Sequence, residues 1–119
     1  MTENDYNLEE RTAKFGENII KFCKNLKLSV ITEPLVKQIV RSSTSIGANY
    51  MEANGACSKS DFRNKIFICK KEAMETKHWI RMISSAITEK ESELRILWKE
   101  AHELSLIFSK IANSAKNKN

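Results

Sequence analysis

Apolar residues recur along this chain at alternating steps of three and four, with polar residues between them. Leu8, Phe15, Ile19, Phe22 and Leu26 form the first run, at steps of seven, four, three and four, which places them on one stripe of a helix. The pattern predicts a helix over about 8–26. Asn7 is placed to cap it, with Glu9 and Glu10 at the positive end of the helix dipole and Lys24 and Lys27 at the other. The β-branched segment Val30, Ile31, Thr32 then leads to Pro34, which disfavours helix at Glu33 and suits the first position of a new one.

The second run, Leu35, Ile39, Ser43, Ile46, Tyr50 and Ala53, predicts a helix over about 34–54. It ends at Asn54-Gly55, two residue types that accept the left-handed backbone of a helix terminus. Its middle holds Ser42, Ser43, Thr44, Ser45 and Gly47, all weak helix formers, Gly by about 1 kcal/mol relative to Ala. Small side chains in such a run point to the close approach of another helix. Phe62, Ile66, Cys69, Ala73, Thr76, Ile80, Ile83 and Ile87 then make a sustained heptad seam over about 60–87, capped by Ser58 or Ser60. Leu94, Leu97, Ala101, Leu104, Phe108, Ile111 and Ala115 carry the rhythm through a fourth helix over about 90–115. Thr88 is its candidate cap, with Glu91 three residues on.

Four helices with short connections predict an all-α fold, an antiparallel up-down-up-down four-helix bundle forming a single domain over 1–119. The third helix carries apolar residues beyond its seam, with Phe67 and Met74 on one flank and Ile68, Trp79 and Met82 on another. A helix apolar on several sides is buried on several sides, so an oligomer is expected.

Composition adds exclusions. One Pro and three Gly among 119 residues are too few turn formers for a sandwich of short strands. The acids Glu3, Asp5, Glu9 and Glu10 and the lack of an apolar early segment argue against a secretory signal, and no run is long enough to span a membrane. A cytoplasmic protein with no membrane association is expected. Cys23, Cys57 and Cys69 match no zinc or disulfide spacing and read as reduced thiols. The net charge is +5, and residues 57–88 hold seven Lys or Arg against three acids, while residues 1–33 hold five against six. The basic excess therefore belongs to the third helix.

Ser45, Asn49 and Glu52 share one face of the second helix, and Glu72, Glu75, Thr76 and Trp79 cluster on the third. Read structurally, Ser45, Asn49, Glu52, Glu72 and Glu75 form a polar network between the two helices, with Arg41, Lys71 or Arg81 as counter-charges, which specifies register. Read chemically, Glu75-Thr76-Lys77-His78 is a Glu-x-x-His motif of the di-metal bundles. Such a site needs a second copy, and His102 has Lys99 three residues before it. No metal, no cofactor and no catalytic residue is expected, since Ser42 to Ser45 have no His on their helix and Cys69 sits on the seam.

Lys59, Arg63, Lys70, Lys77 and Arg81 step four, seven, seven and four, a basic stripe beside the third seam. Two readings stand: a phosphate-gripping surface, or a solvated flank answered by Glu residues of a neighbouring helix. No sequence-specific RNA-binding motif accompanies it.

The stretch from Arg41 to Met82 contains Ser45-Ile46-Gly47-Ala48-Asn49, then Glu52-Ala53, Ser60-Asp61-Phe62, and Lys71-Glu72-Ala73 with Glu75-Thr76 and Trp79. It resembles the signature of the small four-helix-bundle proteins named for intervening sequences in 23S ribosomal RNA genes. The same superfamily includes the accessory variability protein of diversity-generating retroelements, which is similar to a basic homopentameric barrel that binds a reverse transcriptase and nucleic acid. The resemblance implies a homopentamer. Together with the stripe, it leads to the expectation of a non-catalytic oligomeric protein that binds structured RNA, DNA or a nucleic-acid enzyme through a basic surface. The alternative is a protein–protein scaffold that binds no nucleic acid.

Overall fold

The computed structural model describes residues 7–117 and holds four helices and no strand among them. Helix α1 spans Leu8–Lys24, α2 Thr32–Asn54, α3 Lys59–Ala86 and α4 Glu91–Asn117, with a 3-10 turn at Thr88–Lys90 before the last. The seams read from the sequence are the interior. Ile66, Cys69, Ala73, Thr76, Ile80 and Ile83 of α3 are all buried, and they meet Ile39 and Ile46 of α2 and Leu94, Leu104 and Phe108 of α4 in one core.

The helix ends follow local hydrogen bonding. The Asn7 side chain accepts from the Glu10 amide at 3.2 Å, and of the two candidate serines it is Ser58 that caps α3, accepting from the Asp61 amide at 3.0 Å. Helix α2 starts at Thr32, two residues ahead of the expected Pro34. Ser29 and Thr32 cap it reciprocally: the Ser29 amide donates to Thr32 Oγ1 at 2.8 Å and the Thr32 amide to Ser29 Oγ at 3.1 Å. Pro34 then falls in the first turn, where a missing N–H leaves no bond unmade. Two other expectations at helix ends fail. Gly55 does not use the left-handed region; its φ is −99°, and the end of α2 instead tightens through amide bonds from Gly55 to Glu52 and from Ala56 to Ala53. The Thr88 backbone carbonyl, rather than its hydroxyl, receives the Glu91 amide, because the chain passes through a 3-10 turn there.

Register follows from paired contacts. Along α2 and α3, Ser42 meets Thr76, the Ile46 carbonyl meets Cys69, and Glu52 meets Lys65. Along α1 and α2, Gly16 lies against Ser43 and Thr44, and Gly47 against Thr12. Helix α1 is tied to α4 by Arg11, whose Nε and Nη2 each reach the Glu100 carboxylate at 2.8 Å, a bidentate charge-assisted pair.

The weak helix formers of α2 therefore have a packing reason. A Cβ on Gly47 would lie 3.3 Å from Thr12 Oγ1, an oxygen held in place by its 2.8 Å bond to the Leu8 carbonyl, whereas a Cβ on Gly16 would make ordinary contacts at 3.6 Å. Gly16→Ala is expected to stabilise the protein by up to about 1 kcal/mol through helix propensity. Gly47→Ala should gain less, and Gly47→Leu should cost about 1–3 kcal/mol by overpacking. Urea denaturation reads all three, and equal gains from the two alanines would contradict the close approach at Thr12.

Candidate functional site

Helix α3 presents two flanks of opposite character. Toward α2, the Glu72 side chain is 6% exposed and receives Arg41 Nη1 at 3.0 Å. Arg41 also pairs with Glu75 through Nη2 and donates from Nε to Gln38 Oε1 at 3.1 Å, and Trp79 Nε1 donates to Glu75 Oε1 at 3.1 Å. A carboxylate as buried as Glu72 is costly unless paired and hydrogen-bonded. Arg41 supplies that pairing from the half-open surface, joining α2 to α3.

Beneath this clamp lies an uncharged contact. Ser42 Oγ and Thr76 Oγ1 are 2.8 Å apart, both fully buried, and Thr76 Oγ1 also donates to the Glu72 carbonyl at 2.8 Å. Thr76 thereby commits its proton to its own helix and accepts from Ser42.

The remaining members of the expected network behave differently. The side chains of Ser45 and Asn49 bond along α2 itself: Asn49 Nδ2 donates to the Ser45 hydroxyl and carbonyl, both at 2.9 Å, and reaches no carboxylate of α3. Asn one helical turn after a hydroxyl finds these acceptors locally, before any on a neighbouring helix. Glu52 is exposed and accepts from Lys65 Nζ at 2.9 Å, a bond that together with the Glu52 charge raises the Lys65 pKa above its ordinary value. Arg41 is the counter-charge; Lys71 and Arg81 are not in ion pairs among the described residues. Lys65 and Gln38 escaped the sequence reading, which takes Ser42 only as a small residue of a close approach and not as a member of the network. Ser42 carried one signal, since it precedes the seam residue Ser43.

The flank toward α4 carries the basic stripe. Lys59 borders a groove of about 570 Å³ with Phe62 of α3 and Ile111, Ser114 and Ala115 of α4. Arg81 borders a second, of about 260 Å³, with Leu94, Arg95 and Trp98. Lys77 Nζ lies 3.0 Å from His102 Nδ1 and 5.1 Å from the centre of the Trp98 ring, and Trp98 stacks on His102 with centroids 5.0 Å apart and planes 13° apart. Arg63 and Lys70 fall between these points by helical spacing and are half-buried. Among the described residues none of Lys59, Arg63, Lys70, Lys77 and Arg81 is in an ion pair, so no Glu of a neighbouring helix answers the stripe. From Lys59 to Arg81 it runs roughly 33 Å at the helical rise.

Other candidate chemistry is dispersed. His78 is exposed and meets Trp79 edge-on at 5.0 Å, and among the described residues no three His, Cys, Asp or Glu side chains converge as metal ligands. The three cysteines are free, with Cys57 alone exposed. Burial pushes the Cys23 thiol up to about 11 and the Cys69 thiol up to about 12.

The sequence model described as 23S rRNA-intervening sequence protein matches residues 4–110. The chain belongs to that family. This intervening-sequence protein is also similar to a solved structure, that of a protein with unknown function from the S23 ribosomal protein family of Bacteroides thetaiotaomicron VPI-5482. The two are 31% identical, the match covers 92% of this chain and 98% of that one, and the TM-score is 0.82. No curated protein matches. Among the described residues, no helix of this family member is long and apolar enough to cross a membrane.

Two outcomes test the geometry of the site. Thr76→Val removes a hydroxyl that serves Ser42 in a sealed space and is expected to cost about 1–3 kcal/mol in urea denaturation. Adding Ser42→Ala should return part of that loss; strict additivity of the two would mean the hydroxyls are not bonded. In the folded protein at pH 8, a thiol reagent is expected to modify one cysteine quickly, Cys57, and the other two only on unfolding, because the thiolate is the reacting form. Fast modification of two or three thiols would contradict the burial of Cys23 and Cys69.

Proposed function

We propose that this protein is a non-catalytic binding protein, an antiparallel up-down-up-down bundle assembled as a homopentamer, that holds structured RNA, DNA or a nucleic-acid enzyme through the basic flank of α3. The observation that carries this reading is the line of five cations beside α4, none in an ion pair among the described residues. Opposite flanks of one helix differ sharply: the acids on the α2 side are neutralised by Arg41 and Lys65, while among the described residues the cations on the α4 side meet no carboxylate. Uncompensated cations in a row attract phosphates and release counterions on binding, and repetition around a ring would multiply the field. The opposed registers of the paired helices support the topology, and exposed Phe67 and Met74 on α3 support contacts between copies.

The second reading, a protein scaffold without nucleic acid, draws on the same exposed apolar residues. Fluorescence anisotropy of a labelled structured RNA and a duplex DNA across a salt series separates the two. Wild type is expected to bind both with a steep salt dependence. The triple variant Arg63→Glu, Lys70→Glu, Arg81→Glu should lose most of that affinity while keeping its helicity and a light-scattering mass of five times the 13.7 kDa chain. Absence of wild-type binding at low salt would overturn the nucleic-acid reading, and a monomeric mass would overturn the ring.

A further inference from the structure

We propose that the α3–α4 face binds single-stranded nucleic acid, with an unpaired base stacking on Trp98 and the neighbouring phosphates held by Arg81, Lys77 and Lys70. The inference rests on the nucleic-acid reading above and narrows it to one class of ligand.

The face is not only basic. Trp98 is 37% exposed and Leu106 is 56% exposed. By helical spacing both lie on the side of α4 that corresponds to Lys70 and Lys77 of α3. The nearby acids are held by other cations. Glu72 and Glu75 are on the α2 flank with Arg41, Glu100 and Glu103 are turned to Arg11 of α1, and Glu91, which lines the Trp98 groove, is bound to Arg95. Aromatic and aliphatic surface interleaved with unpaired cations suits a flexible strand that offers both phosphates and base faces. A duplex offers its phosphates outward but keeps its base faces stacked, so it would leave Trp98 unused.

Trp98 is held ready for this role. Its ring is stacked on His102 and lies 5.1 Å from the Lys77 ammonium. Lys77 Nζ lies 3.0 Å from His102 Nδ1, a contact that holds the ring Trp98 leans on. Trp98 also borders the 260 Å³ groove, whose floor is apolar through Ile80 and Leu94 and whose rim carries Arg81, an exposed guanidinium in no ion pair among the described residues. A base entering that groove meets the indole, and its phosphate meets the guanidinium. A ring already in place loses little freedom when a base stacks on it.

The test uses the full chain carrying Trp79→Phe, which leaves Trp98 as the single tryptophan of the two in the sequence. It is titrated at low salt with a twelve-nucleotide oligo(dT), the matching oligo(rU), and a twelve-base-pair duplex, long enough to exceed the roughly 33 Å stripe, which about ten duplex phosphates of one strand would span at about 3.4 Å each. Both single strands are expected to quench Trp98 emission, and the duplex to leave it unchanged. Trp98→Ala is expected to weaken single-strand binding about tenfold, the scale of one lost base stack, without altering duplex affinity, while Trp98→Phe retains most of it. Circular dichroism and light scattering confirm that each variant keeps its fold and mass. Equal effects of Trp98→Ala on strand and duplex, no effect on either, or binding without quenching would overturn the stacking site. If those results came with binding that the Arg63, Lys70, Arg81 triple variant still abolished, the electrostatic reading would survive the loss of the stack. If wild type bound none of the three probes, both would fall.

Discussion

Helix α3 is buried against α2 through a contact that contains polar atoms, and that contact disciplines the rest of the fold. The hydroxyls of Ser42 and Thr76 face each other in a space closed to water. Sliding α2 along α3 by one residue would separate them and leave two buried polar groups without partners, a loss that packing alone does not recover. An all-aliphatic seam would admit neighbouring registers at little cost. Here the polar pair admits one, and among the described residues no buried side-chain polar atom lacks a hydrogen bond.

Once that register is set, the flanks of α3 follow. Arg41 lies one position before Ser42, so it is brought to Glu72 and Glu75, which stand at the same level as Thr76. Glu72 and Glu75 are consumed on this side. What remains for the side toward α4 is cations: Lys59, Arg63, Lys70, Lys77 and Arg81, none of them in an ion pair among the described residues. The charge separation across one helix is thus a consequence of where the neutralising arginine was placed, and it makes one face of the bundle suitable for an anionic partner.

Helix α1 is the lightest of the four and is held by different means. Gly16 and Gly47 let its backbone approach α2, with Thr12 pressed against Gly47. Arg11 then closes the far side by its bidentate pair with Glu100. Small residues on one side and a charged clasp on the other achieve with a short helix what the longer pairs achieve with heptad seams.

The heptad residues were legible from the sequence alone, because the periodicity of apolar positions is a direct record of which stripe is removed from water. So were the four helices, the Asn7 cap, the small-residue run of α2, and the membership suggested by Ser45 to Asn49 and Lys71 to Trp79. Contacts between chemically flexible residues were not legible. The spacing of Ser45 and Asn49 is as compatible with bonding along one helix as with bonding across two, and only the rotation of α2 about its axis decided for the former. Nothing in the string MEAN, read before SKSDFRNK, says that Glu52 will find Lys65, nor that Arg11 will find Glu100 eighty-nine residues away. The joining of Trp98, His102 and Lys77 likewise needed the level of α4 against α3. One-dimensional spacing determines which residues share a helix face; which faces meet, and at what height, is settled by packing in three dimensions.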